Sequence, residues 1–282
     1  MTAVLDHIVI NTRFELDRAE AVFSGLGFTL TPRGHHTLGS INHLMMFGRD
    51  YLELVGIREA DQHKRPELAN APLGLDGLVF KTGDVDQTHA QLDRLGLAGD
   101  PPKSFSRPVT LGDGSTHDAC FRTVTASAGA FPAGRLYFCE HLTPDLIWRK
   151  EWQTHGNGVT GFCELVIVTQ HPRDEAESLA ALLEGEVEPD QDGGLKIATN
   201  NGFQLTFQTP ADYAARFGDL ARADAGREAF LGAVRLHCPS LDSLRKFTTD
   251  TPALRVLERD AGMNVAIDAF DTLFLFEAQS KD

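Results

Sequence analysis

A unit of about 70 residues recurs four times along the chain, and this periodicity restricts the fold more than any single motif does. The first copy opens with a strand-like run, Leu5-Asp6-His7-Ile8-Val9-Ile10-Asn11-Thr12. A helical stretch over 16–28 follows, with apolar residues at Leu16, Ala19, Val22, Phe23 and Leu26 and with Gly27 placed to end it. Strand-like segments at 28–30, 41–47 and 51–57 complete the copy, the last two joined by the hairpin turn Gly48-Arg49-Asp50. The same order returns at 75–97, at 162–183 and, more faintly, at 231–247. The pattern predicts an α+β chain built from four βαβββ modules. Gly156-Asn157-Gly158 marks a linker, so the expected halves are 1–155 and 156–282.

Composition excludes several classes. The 282 residues suffice for one large domain or two modest ones. Charged residues make up 23%, and abundant Val, Leu, Ile and Phe exclude a disordered chain. Forty acidic residues against 26 basic ones give a net charge of −14, which argues against a nucleic-acid binder. No apolar run approaches the roughly 18 residues of a membrane span. The N-terminal residues lack the cationic start of a signal peptide, so the expectation is a cytoplasmic protein without membrane contact. Cys120, Cys139, Cys163 and Cys238 form no CxxC pair and read as buried small hydrophobes. There is no phosphate-cradling glycine loop, GxSxG elbow or dinucleotide fingerprint.

Alternate residues of a half-buried strand share a face. His7, Val9 and Asn11 therefore fall together in the first strand, and Tyr51, Glu53 and Val55 in the strand after the hairpin turn. A His and a Glu amid apolar strands are costly to bury without partners. A divalent metal ion satisfies both, since imidazole and carboxylate are ordinary ligands. The alternative is that Glu53 pairs with an Arg and His7 is a hydrogen-bonded core histidine. The close of the second unit, 136–148, holds further candidates. Glu140 and His141 are adjacent, so they point to opposite faces unless the strand bulges. Matching Gly48-Arg49-Asp50-Tyr51 to Gly134-Arg135-Leu136-Tyr137 puts Cys139 opposite Glu53 and favours His141 over Glu140 as a ligand. His43 reads either as a cleft contact or as a core or surface histidine, and Trp148 either walls a pocket or caps the first half. His35 and His36 read as solvated loop residues, and 101–132 as a long loop or an extra hairpin.

Leu5-Asp6-His7-Ile8-Val9-Ile10, Gly39-Ser40-Ile41-Asn42-His43, Tyr51-Leu52-Glu53-Leu54 and Cys139-Glu140-His141-Leu142-Thr143-Pro144 resemble the glyoxalase-like branch of the vicinal oxygen chelate superfamily. The resemblance spans most of 4–150; the last half shares only the unit plan. It implies modules paired into two curled mixed sheets, each around a cleft, with metal positions on the first and last strands of each module. These map onto His7 and Glu53 in the first unit. In the second they fall on Gly77, which cannot ligate, and on Glu140 or His141. The implied ligand set is His7, Glu53 and His141, holding a divalent ion (zinc, iron, manganese or nickel) with open positions for substrate. The implied function is lyase or isomerase-type Lewis-acid chemistry on a small oxygenated substrate. Glu140 is then the proton-transfer residue if it bends into the cleft, with His43, Tyr137 and Trp148 as substrate contacts. The alternative is a metal-free protein of the same superfamily that sequesters a small molecule. An extradiol dioxygenase plan fits less well, because Glu164 and Ala233 stand where it needs metal ligands in the second half. The expected partner is a small-molecule ligand, and a homodimer is compatible with the sequence.

Overall fold

A computed structural model describes residues 4–199, 202–251, 254–259 and 262–278. In the first module, β1 (Leu5–Arg13) leads into α1 (Leu16–Gly25), then β2 (Gly34–His35), β3 (Ser40–Met46) and β4 (Tyr51–Ile57). A short α2 (Pro66–Asn70) connects to the second, made of β5 (Gly74–Lys81), α3 (Val85–Arg94), β6 (Lys103–Thr110), β7 (Thr116–Thr125) and β8 (Arg135–His141). The third comprises β9 (Gly161–Thr169), α4 (Pro172–Leu183), β10 (Val187–Pro189), β11 (Leu195–Ala198) and β12 (Gln204–Gln208). After α5 (Pro210–Phe217) comes the fourth: β13 (Ala229–Cys238), α6 (Leu241–Asp250), β14 (Leu254–Arg259), β15 (Gly262–Ile267) and β16 (Thr272–Ala278). The α+β plan of four modules in two mixed sheets is thus the observed one. No helix among the described residues is long and apolar enough to cross a membrane.

The strand orders are β2-β3-β4-β1-β5-β8-β7-β6 and β10-β11-β12-β9-β13-β16-β15-β14. In each sheet the two modules meet through antiparallel first strands, and each first strand lies parallel to the last strand of its own module. A parallel neighbour requires a crossover, which the helix and two intervening strands provide. First strands are therefore central and covered on both faces. Every residue of β1 from Leu5 to Thr12 is buried, the polar Asp6, His7, Asn11 and Thr12 included, so each of these needs a partner. On one face Leu5, Ile8 and Ile10 pack with Leu16, Ala19 and Phe23 of α1 in a core that continues into the second sheet. There the Phe23 ring meets Phe270 and Phe274 at 6.1 and 6.0 Å. On the other face Val9 packs with Leu44, Tyr51, Val55 and Val79.

One element differs from the sequence expectation, and one open alternative is decided. The second strand is two residues at Gly34–His35 instead of a segment at 28–30, which runs without strand pairing. Segment 101–132 holds the hairpin β6–β7, paired from Lys103↔Thr123 to Thr110↔Thr116. These strands extend the first sheet until its ends meet: Thr37 N–H donates to Ser106 O at 2.9 Å, and Ser106 N–H to Thr37 Oγ1 at 3.1 Å. The sheet closes almost into a barrel around a cavity of about 630 Å³.

The join between modules is tight at Gly77. The β1–β5 pairing sets His7 against Val79 and Val9 against Gly77, so Gly77 is the counterpart of His7. A Cβ on Gly77 would lie 2.9 Å from Val9 Cβ. Gly77→Ala is expected to destabilise the chain by about 1–3 kcal/mol in urea unfolding. A Val9→Ala background should recover part of the loss; an unchanged midpoint in the single variant would contradict this packing.

Candidate active site

The pairing of β1 with β5 slips by one residue, so that Leu5 faces Phe80 and His7 faces Val79. Asp6 is the extra residue, and such a bulge re-aims side chains that would otherwise alternate. The Asp6 carboxylate has no solvent exposure and lies between two imidazoles. Its Oδ2 is 2.7 Å from His7 Nδ1 and 3.0 Å from His141 Nε2, and Tyr51 Oη donates to it at 3.4 Å. Burial acts to raise the Asp6 pKa. The hydrogen bonds from His141 and His7, with their charge, outweigh that and hold the carboxyl well below the usual carboxylate range. An ionised carboxylate can only accept, so His7 donates through Nδ1. That leaves Nε2 directed at Glu53, 3.5 Å from Oε2. Tyr51 stacks on the His7 ring, with centroids 4.4 Å apart and planes 13° from parallel, and so fixes its plane.

Glu53 is held from the opposite side. Asn42 Nδ2 donates to its Oε1 at 2.6 Å and also lies 3.3 Å from His36 Nε2, while His36 Nδ1 pairs with Ser40 Oγ at 2.8 Å. Burial pushes the His36 pKa down to about 4 against the opposing pull of the Glu53 charge, so near neutral pH this imidazole is an uncharged acceptor. Across the cavity Arg135 donates to Asp76 and, at 2.7 Å, to Tyr137 Oη.

Of the residues expected from sequence, His7, Glu53 and Tyr137 line the cavity. The others lie elsewhere. His141 stands behind Asp6, with Phe121 and Trp148 rings 5.2 and 6.0 Å away, and buttresses the carboxylate without facing the cavity. Trp148 packs on Tyr51 at 5.7 Å and beneath the Lys81 ammonium. Glu140 points out of the cleft: its Oε2 accepts from Val85 N–H at the start of α3 and lies 3.7 Å from Arg122 Nη1. The strand does not bulge there, so Glu140 takes the face opposite its neighbours. His43 takes the helix side of β3, with Nδ1 donating to Thr31 O at 2.8 Å and Nε2 beside Glu20 at 3.1 Å; strand parity gives the cavity to Asn42 and Leu44.

Strand register also revises the correspondence between modules. Glu53 is paired with Val9, and Tyr137 with Val79, the counterpart of Val9. Tyr137, not Glu140 or His141, therefore occupies the position matching Glu53; the Gly-Arg-x-Tyr match is displaced by two residues. Sequence reasoning missed Asp6, His36, Asn42 and Arg107 as site residues. An acid inside the apolar run of β1 was the available signal for Asp6.

The donors fit a divalent cation at His7 Nε2 and Glu53 Oε2. Their 3.5 Å separation is what two ligands each roughly 2.0–2.2 Å from one ion leave between them. A ligating histidine commonly gives its other N–H to a carboxylate, as His7 does to Asp6. A second donor cluster, Asp6, Cys139 and His141, has its ligand atoms within 4.8 Å of one another. Within it Asp6 Oδ2 is already engaged by three donors, and burial pushes the Cys139 thiol well above its usual range, so we read this group as support for His7. In the second sheet Glu164 is saturated by Arg216, at 3.1 Å to each oxygen, and by Arg235 at 2.7 Å, which leaves it no capacity for a metal ion there.

Residues 5–183 match the family described as a glyoxalase-like domain. No curated protein matches the chain. Among solved structures, a hypothetical protein from Staphylococcus aureus superposes with a TM-score of 0.66 at 11% identity, covering 98% of this chain and 99% of that one. A triple mutant of 4-hydroxymandelate synthase from Streptomyces coelicolor gives 0.59 at 11% identity, covering 99% and 94%. A xylose isomerase-like TIM barrel/4-hydroxyphenylpyruvate dioxygenase fusion protein gives 0.58 at 13% identity, covering 100% of this chain and 51% of that one. At these identities the likeness is one of fold, the vicinal oxygen chelate fold.

Asp6 carries a pH signature. Its folded pKa lies below the unfolded value near 3.9, so its stabilisation is fully present above that value and is lost as pH falls through the folded pKa. Asp6→Asn is expected to lower the unfolding free energy by roughly 1–3 kcal/mol near neutral pH. The gap to wild type should close below about pH 4; a gap still widening toward about pH 2 would contradict an ionised buried Asp6.

Proposed function

The chain belongs to the glyoxalase-like domain family, and from that premise we propose a metal-dependent enzyme of lyase or isomerase type, acting on a small oxygenated substrate in the first-sheet cavity. The observation that carries this reading is the alignment of Asp6, His7 and Glu53, in which one ionised carboxylate sets the imidazole and a second faces its free nitrogen. His7 and Glu53 would hold the ion, which when bound supplies Lewis-acid polarisation of a substrate carbonyl.

The remaining chemistry belongs to the chain. Asp6 accepts from His7 Nδ1 and so turns Nε2 toward the cavity, and Asn42 ties up Glu53 Oε1 so that Oε2 faces His7. Glu67 is paired with Arg65, and Asp100 with Lys103 at 2.6 Å. Glu53 is therefore the cavity-lining carboxylate without a Lys or Arg partner among the described residues, which leaves its charge available to an ion. Val9, Leu44, Val79, Phe105 and Phe121 give the walls an apolar surface that excludes water and strengthens these interactions. The Phe105–Phe121 stack, at 5.1 Å, also favours the second reading, a metal-free sequestering protein.

Calorimetric titration of metal-free protein with Mn²⁺, Ni²⁺ or Zn²⁺ separates the two. The enzyme reading expects one site per chain, weakened at least about 100-fold by His7→Ala or Glu53→Gln and about 10–100-fold by Asp6→Asn. Glu140→Gln should bind as wild type. A wild-type chain that takes up no ion under any of these conditions rejects the metalloenzyme and leaves sequestration.

A further inference from the structure

Five cationic side chains line the first-sheet cavity, and four have carboxylate partners: Lys64 with Asp61, Arg65 with Glu67, Lys103 with Asp100 and Arg135 with Asp76. Arg107 is the exception. It is 3% exposed, makes no ion pair among the described residues, and its Nη2 is buried without a hydrogen-bond partner. The residue reaches the cavity because β6 closes against the segment after β2 through Thr37 and Ser106, which carries the next residue, Arg107, in over Gly34 and beside Asn42. Asn42 Oδ1 is also buried and unpartnered, but a neutral carbonyl cannot balance a charge. A guanidinium does not deprotonate in proteins, and burying it without a directly paired counter-charge is costly; the Glu53 carboxylate acts on it through space but forms no ion pair with it. The guanidinium thus has a nitrogen open to an anion at this point.

We propose that Arg107 binds the carboxylate of the substrate, and that the cavity takes small organic acids with an apolar body. This rests on reading the cavity as the active site. One unpaired guanidinium offers one charge and a planar fork that matches a carboxylate. A doubly charged phosphate would face the Glu53 carboxylate with too little compensation. The body of the acid lies against the stacked rings of Phe105 and Phe121, 5.1 Å apart, and its oxygenated end is directed toward His7 and Glu53.

The test is calorimetric binding of acetate, butanoate and phenylacetate, each against its neutral amide, to the full chain near neutral pH. At least one acid should bind wild type about tenfold or more tightly than its amide. Arg107→Gln should abolish that preference, and Arg107→Lys, which keeps the charge, should retain part of it. Arg149→Gln, at a residue paired with Glu151 outside the cavity, should leave it unchanged. The preference should persist in His7→Ala. Acid preference in a chain that takes up no metal would therefore reject the metalloenzyme and leave this inference standing. It is overturned if no acid binds, if acid and amide bind alike, or if folded Arg107→Gln keeps the full preference.

Discussion

A fully buried, ionised carboxylate in the central strand of the first sheet is the constraint on which the site depends. Asp6 is tolerable there only because His7, His141 and Tyr51 all direct hydrogen atoms at one of its oxygens. Each of those three groups is then fixed: the tautomer of His7, the position of β8 behind the site, and the ring that stacks on His7. The fold supplies the means. A one-residue slip between the two antiparallel first strands puts acid and imidazole within reach, where regular alternation would separate them.

The asymmetry between the two modules of this sheet follows from the same join. Antiparallel pairing crowds Val9 against Gly77, so the second module cannot present a side chain where the first presents His7. Its last strand offers Tyr137 where the first offers Glu53, and Tyr137 is engaged by Arg135. One module thus carries the acid–imidazole–acid alignment, and the other supplies Arg135 and, on β6, Arg107. In the second sheet the same framework holds Glu164 between two arginines.

Much of the architecture was legible in the sequence because it rests on periodicity. The order of strands and helices, the hairpin turn at Gly48-Arg49-Asp50 and the four-module plan all follow from apolar spacing and turn residues. Parity grouped His7 with Val9 and Glu53 with Tyr51, the family resemblance implied that His7 and Glu53 share a site, and the structure brings them to 3.5 Å. What could not be read depends on relations between strands. His141 and Glu140 were assigned through a local Gly-Arg-x-Tyr match, whereas their placement is set by the β5–β8 register two residues away. Asp6 acts through a bulge that its sequence does not announce. Arg107 lies in a segment whose glycine, serine and proline content reads as a long loop or an extra hairpin, and it matters only once the sheet has closed. His36 is drawn inward by Ser40 and Asn42 and is not left in solvent.

If Asp6 sets His7 as proposed, His7 and Glu53 would together hold one cation. Anomalous diffraction from crystals grown with Mn²⁺ or Zn²⁺ addresses it directly. A single strong peak within bonding distance of both His7 and Glu53 is the expected result. A peak seated instead on Asp6, Cys139 and His141, or none between His7 and Glu53 at saturating metal, would contradict it.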